Sequence, residues 1–293
     1  MFIDIHVHSS LKPLIWEGKA RHATPQQLIE RYDKLGIEKG VLLPGVGPDA
    51  SYQLRPTEII LQICEMFPDR FIPFCNVDPR QLSNSPFSPL GKLLTYYKEK
   101  GCKGIGEVCS NLPIISPMVQ NLFKSAEELR MPLTFHLAPQ IGDFYGLYDE
   151  VGLPGLDYSL GKFPDLIFLG HSQPFWAEIG ELEKPGDRYG YPDYPVKKEG
   201  VLPKLMREHK NLYGDLSAGS GYNALARDID HAISFLNEFQ DRLFFGTDIC
   251  APDTPTPLVD FLIKLKEEDK ISEVVFNKVA RENAIKLLNI PAN

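Results

Sequence analysis

Cysteine is scarce in this chain. There are five in 293 residues, Cys64, Cys75, Cys102, Cys109 and Cys250, and no two of them make a C-x-x-C pair. An odd, scattered set excludes a disulfide framework and a zinc knuckle, so the thiols are expected to be reduced and mostly buried. No apolar run reaches the roughly 18–20 residues that a membrane helix requires. The opening stretch Met1-Phe2-Ile3-Asp4-Ile5-His6 lacks the basic start and pure apolar run of a secretory leader, and a cytoplasmic location is the expectation. Basic residues are in the minority, 31 Lys+Arg against 39 Asp+Glu for a net charge of -8. With a pI near 5.4, that argues against a surface built to grip nucleic-acid phosphates. Repeats, low-complexity tracts and charge runs are missing too, so nothing divides the chain into two domains.

What the chain does have is alternation. Short apolar, β-rich runs occur at Phe2–Val7, 39–43, 71–77, 102–108, 133–137, 166–170, 211–216 and 243–246. Most are continuous in apolar residues, as strands covered on both faces of a parallel sheet are. Helical patterns lie between them. Pro25–Leu35 has Thr24 as its cap and proline in its first turn, and 58–67 has Thr57 as its cap. Further helices are predicted at 90–100, 116–130, 201–209, 224–239 and 257–266, with an amphipathic closing helix at 277–288. Eight strand–helix alternations predict an α/β fold, a single (β/α)8 barrel domain over 1–293, with an open doubly wound sheet as the alternative. The connections after strands 1, 2, 5 and 6 are long, the longest at 173–200. In a barrel they all emerge at the C-terminal face, where long loops form a lid or a substrate pocket.

The ends of the strands carry the chemistry. Strand 1 ends Asp4-Ile5-His6-Val7-His8, and residues i and i+2 of a strand face the same way, so His6 and His8 make a ready chelate for a divalent ion. Strand 4 ends in Glu107, strand 5 in His136, strand 6 in His171 and strand 8 in Asp248. A barrel gathers all of these at one mouth, and five of eight strands ending in a ligand-type residue is not a chance distribution.

This ordered set resembles the amidohydrolase superfamily, in particular its amidohydrolase 2 branch of metal-dependent TIM-barrel hydrolases and decarboxylases. The resemblance runs from Phe2-Ile3-Asp4-Ile5-His6-Val7-His8 to the closing Asn283-Ala284-Ile285-Lys286-Leu287-Leu288. It implies His6 and His8 as paired metal ligands and His136 as the strand-5 ligand. It implies Asp248 as a carboxylate that contacts metal and handles the proton of the attacking water. His171 would polarise the substrate or bind a second ion. Glu107 stands where some members of the superfamily use a modified lysine; Lys103 would sit deeper on the same strand. A ligating Glu107 implies a binuclear site, and a non-ligating one a single ion. Histidine and carboxylate donors suit zinc, while manganese, iron, cobalt or nickel also fit such a set.

The expected activity is metal-dependent hydrolysis of a small ester, lactone or amide, in which the ion lowers the pKa of water from about 15.7 toward about 7 and Asp248 and His171 are the catalytic side chains. A non-oxidative decarboxylase of an aromatic or unsaturated carboxylic acid shares the same residues and is the alternative. A TatD-like phosphoesterase or nuclease is a third reading. The arginine usual in that branch two residues after the strand-5 histidine is replaced by Ala138, and the acidic pI disfavours it. A catalytically silent barrel acting as a binding protein is the non-enzyme reading, opposed by the completeness of the ligand set. The loops add aromatics and cations, among them Trp16, Arg21, His22, Tyr52 and Tyr145, that suit a planar or carboxylated small molecule. Arg55, Arg188, Trp176 and Asp215 are the candidate substrate contacts, Asp215 being equally a cap for the turn that follows it. Asp4 is expected as a support behind the ligands or on the barrel floor rather than as a ligand, Cys109 and Cys250 as bystanders near the mouth, and His209 and His231 without a role. The expected partner is a small-molecule substrate, with no membrane and no nucleic acid; a homodimer is compatible with the sequence.

Overall fold

Phe2–Val7 is buried at every position, as a strand between an inner core and an outer helical layer must be. It is β1 of eight parallel strands, followed by β2 Ile37–Leu42, β3 Phe71–Pro73, β4 Ile105–Val108, β5 Leu133–Ala138, β6 Phe168–His171, β7 Leu212–Asp215 and β8 Leu243–Phe244. β1 to β3 pair in sequence order, and so do β4 to β8. Two seams close the ring. At one, the Cys75 amide donates to the Gly104 carbonyl at 3.0 Å and the Gly106 amide to the Cys75 carbonyl at 2.8 Å. At the other, Ile5 donates to Phe245 and His8 to Ile249, both at 3.0 Å, while Asp248 donates back to His6 at 2.8 Å. The expected (β/α)8 barrel is what forms. The computed structural model describes residues 1–290; 291–293 of the expected domain lie outside the described residues. No described helix is long and apolar enough to cross a membrane.

Helix boundaries follow local chemistry. Pro25–Leu35 starts at a capping box in which Thr24 and Gln27 bond each other's backbone amides, and it stops at Gly36 in the left-handed conformation. The Thr57 expectation needs correction. Pro56 is the cap residue, the helix is Thr57–Met66, and the Thr57 hydroxyl instead accepts from the Asn76 amide at 3.2 Å. The helix predicted over 224–239 is two helices, Ala218–Ala226 and Ile229–Glu238. Asp228 breaks the pattern by taking an extended conformation and capping the second helix through the His231 amide. Pro154–Lys162 and Gln173–Ala177 were not foreseen; the second is five residues long, too short for a helical period to show.

Two apolar layers result. Ile3, Ile5, Val41, Leu43, Phe74, Leu169 and Phe244 fill the barrel, and Ala284 and Leu288 from the last helix pack against this cluster. Phe2, Val7, Ile37, Leu42, Ile105, Phe135, Phe168 and Leu212 belong to the larger layer between strands and helices. In β1, odd positions 3 and 5 face inward, so strict alternation would send His6 outward. The pairing with β2 gains a residue instead: Asp4 aligns with Gly40 but Val7 with Leu42. This bulge reverses the alternation, so Val7 joins the outer layer and His6 turns into the barrel. Asp4, just before it, is fully buried and accepts from the Tyr32 hydroxyl at 2.6 Å and the Thr247 hydroxyl at 2.5 Å.

β4 repeats the device. Ile105 aligns with Leu133 but Val108 with Phe135, which turns Glu107 toward the axis while both flanking apolar residues stay outside. Gly106 permits it: its φ is +130°, and a Cβ there would sit 2.5 Å from the Thr134 carbonyl oxygen.

Candidate metal centre

His6 and His8 aim their Nε2 atoms at each other across 3.2 Å. Each ring is fixed from behind. His6 Nδ1 donates to Asp215 Oδ2 at 2.6 Å, and His8 Nδ1 donates to the Leu43 carbonyl at 2.9 Å. Those partners hold the tautomer that leaves a lone pair on each Nε2, the arrangement metal-bound histidines use.

Two carboxylates complete the group. Glu107 Oε2 lies 3.7 Å from His6 Nε2 and 3.6 Å from His8 Nε2. Asp248 Oδ1 lies 3.6 and 3.4 Å from the same two atoms. Donors about 2.0–2.2 Å from a common ion in tetrahedral array stand roughly 3.3–3.6 Å apart; His6, His8 and Asp248 lie within such mutual reach, and Glu107 Oε2 lies beside both histidines. Glu107 Oε1 accepts from His136 Nδ1 at 2.7 Å. His171 Nε2 stands 3.9 Å from Glu107 and 3.8 Å from Asp248, and its Nδ1 meets the Ser217 hydroxyl at 3.0 Å.

The field of this cluster calls for a cation. Burial raises the cost of ionising Glu107, yet the bond from His136, and then the adjoining His6 and His8, hold its carboxyl well below the usual range. Burial works against a charged His6, but Asp215 and then Asp248 overcome it and raise the ring well above its ordinary value. The same attraction serves a divalent ion in place of that proton. His171 goes the other way: burial lowers it, so it is neutral at pH 7.

A cavity of about 90 Å³ opens over His8, Glu107 and Asp248, walled by His22, Arg55, Cys109, Tyr145 and Cys250, with the 44–51 loop as its rim. The six strand-end residues His6, His8, Glu107, His136, His171 and Asp248 are therefore gathered as expected, and Arg55 lies at the same mouth. Three expected substrate contacts are used differently. Asp215 is fully buried, bonded to His6 and to the Ser217 amide, so it orients a histidine and caps its turn. Trp176 is buried and donates Nε1–H to the Asp215 carbonyl at 2.9 Å. Arg188 is buried, its Nε 3.0 Å from Glu178 and its Nη1 donating to the Asp149 carbonyl at 3.0 Å; it latches the long loop to the barrel side rather than lining the cavity. Asp4 lies behind the ligands rather than on the floor: it faces Tyr32 of the outer helical layer and accepts from the His6 and Thr247 amides. Cys109 and Cys250 are cavity wall, and burial pushes both thiols well above their ordinary range, which makes them poor nucleophiles.

Ser217 was missed, although it follows Asp215 by two residues and shares its side of the strand end, which is the signal that would have found it. The Leu43 carbonyl and Asn76, whose Nδ2 donates to the Glu107 carbonyl at 2.5 Å, carry no sequence signal, because their roles depend on a neighbouring strand.

Two outcomes follow from these secondary contacts. Asp215→Asn should weaken divalent-ion affinity by about 10–100-fold, read by competition with a chromogenic chelator. Glu178 is pushed up to about 7 by burial, against the pull of Arg188. A carboxyl raised on folding loses stability as pH rises from its unfolded value near 4.5 through 7. Glu178→Gln should therefore flatten the pH dependence of the urea midpoint between pH 5 and 8, whatever it does to the absolute value.

The sequence profile of the Amidohydro_2 family, described as amidohydrolase, matches residues 3–290. No curated protein sequence matches the chain. Among solved structures, an uncharacterised TIM-barrel protein from Bordetella bronchiseptica is 17% identical with a TM-score of 0.67, covering 98% of both chains. A probable 2-pyrone-4,6-dicarboxylic acid hydrolase from Acinetobacter baumannii is 16% identical with a TM-score of 0.58, covering 99% of both chains. A 5-carboxyvanillate decarboxylase from Novosphingobium aromaticivorans, with manganese bound, is 15% identical with a TM-score of 0.62, covering 99% of this chain and 97% of that one. At these identities the solved structures speak for the fold, and the near-complete profile match speaks for the lineage: the chain belongs to the Amidohydro_2 family and is an enzyme of the amidohydrolase superfamily.

Proposed function

We propose that this protein is a metal-dependent hydrolase of a small ester, lactone or amide, with His6, His8, Glu107 and Asp248 holding one divalent ion, zinc being the first candidate. The observation that carries the reading is the convergence of two histidine nitrogens 3.2 Å apart with two carboxylates that each stand 3.4–3.7 Å from both of them, beneath a cavity. A divalent ion held there supplies a Lewis acid that polarises a carbonyl and acidifies water.

The chain's own groups do the rest. The Asp248 side chain is 22% exposed, where it can take a proton from the attacking water and return it to the leaving group. With the Ser217 hydroxyl donating to Nδ1, His171 carries its proton on Nε2, available to a substrate oxygen. Glu107 is held by His136 and stays anionic; because that bond takes its second oxygen and a ring nitrogen of His136, this reading departs from the expectation of His136 as a ligand and of two ions wherever Glu107 ligates. Among the described residues Arg55 is the one arginine or lysine on the cavity wall, and it suits a substrate carboxylate, a group carried by the substrates in the names of the hydrolase and decarboxylase neighbours.

The test is a screen of zinc- and manganese-loaded protein against aryl esters, lactones and anilides, beside carbon dioxide release from hydroxybenzoates. Acid release that tracks metal content supports hydrolysis. Carbon dioxide release with no hydrolysis would move the assignment to the decarboxylase alternative. Cleavage of single-stranded DNA or a chromogenic phosphodiester alone would move it to the TatD-like one.

A further inference from the structure

We infer that His22 is a positioning and specificity-determining residue, a neutral acceptor that holds the Arg55 guanidinium in the cavity with its charge uncancelled, so that the site selects substrates bearing a carboxylate. The inference deepens the function proposed above and rests on it for the ion that neutralises Glu107 and Asp248.

Arg55 is 5% exposed, and both it and His22 line the cavity. Its backbone is locked to Gly45 in both directions, the Gly45 amide donating to its carbonyl at 3.0 Å and its own amide to the Gly45 carbonyl at 2.8 Å. Its Nη2 occupies the space a Cβ at position 45 would need, so only glycine lets the side chain lie across that strand end. Nη1 donates to the His22 ring and, at 3.3 Å, to the Gln53 carbonyl. Its Nε–H is buried with no partner. None of its hydrogen-bond partners among the described residues is a carboxylate.

A buried arginine is ordinarily answered by an acid, as Arg188 is by Glu178. Here the partner is an imidazole, and burial, then Arg55 itself, push that ring down to about 3, leaving it uncharged. A neutral acceptor fixes the orientation of the guanidinium without quenching its charge. The carboxylates it faces across the cavity, Glu107 and Asp248, would be neutralised by the ion between them. What remains is a buried cation with an unanswered N–H, which a planar anion completes.

The test compares succinate with succinamate, which differ in one carboxylate, by calorimetric titration of the zinc-loaded protein. Wild type should bind succinate at least 10-fold more tightly. Arg55→Gln should abolish the ratio. His22→Ala should lower it several-fold and His22→Gln, which keeps an acceptor, should restore most of it. His22→Glu should also lower it, because an ion pair cancels the charge; a purely structural role for His22 would tolerate or welcome that pair. Zinc content and melting temperature are measured on every sample. Unchanged ratios in His22→Ala, or a His22→Glu protein as selective as wild type, would overturn the proposal. Protein that holds no zinc would sink the metal reading, because Glu107 and Asp248 would then keep their charge against Arg55; zinc-loaded protein whose ratio His22→Ala leaves unchanged would overturn the role of His22 alone.

Discussion

Zinc-loaded protein should hold about one ion per chain, and His8→Ala should lose it. His8 contributes one of four donors, and its Nε2 is 3.2–3.6 Å from the other three. Removing it leaves a three-donor set whose carboxylates repel each other, so the apparent affinity should fall on the order of 1,000-fold or more. Activity on any substrate found should fall with it by about 10⁴-fold at ordinary metal concentrations, because neither carbonyl polarisation nor water activation survives. Elemental analysis after gel filtration reads the first effect and initial rates the second. A variant that keeps both its ion and its rate would remove His8 from the centre. Two ions per wild-type chain would assign His136 and His171 to a second site, with Glu107 shared through the oxygen that now bonds His136.

Asp248→Asn should cut kcat by about 10³-fold at saturating zinc while KM changes little. The amide keeps an oxygen where Oδ1 stands, so a neutral donor to the ion remains, but it cannot accept the proton that the reaction releases. The φ of Asp248 is +52°, a conformation asparagine tolerates as well as aspartate, so the substitution leaves the backbone unstrained. A loss confined to KM, or to metal content that excess zinc restores along with full rate, would make Asp248 a ligand only.

Much of this was readable in the chain. The barrel follows from eight apolar runs separated by capped helical patterns, and Thr24, Gln27 and Gly36 set the ends of one helix by rules that operate within four residues. The mouth was readable because a parallel barrel brings all strand ends to one face, so His136, His171 and Asp248 could be grouped without coordinates. Local rules failed where a distant group competed. Thr57 looks like a cap until Asn76 takes its hydroxyl. Arg188 and Trp176 look like loop residues facing a ligand until Glu178 and the Asp215 carbonyl claim them.

By itself, then, the sequence determined the alternation of strand and helix, the count of barrel strands and the kinds of donor at their ends, because those depend on short-range periodicity and on residue type. Which way the donors point was decided by tertiary structure. The bulges after Asp4 and at Gly106 reverse the strand alternation only through pairing with β2 and β5. Asp215 and the Leu43 carbonyl set the histidine tautomers from other strands, and Arg55 is bent over Gly45 and held by His22 from different loops. Each depends on a contact between residues far apart in the chain, which no local pattern encodes.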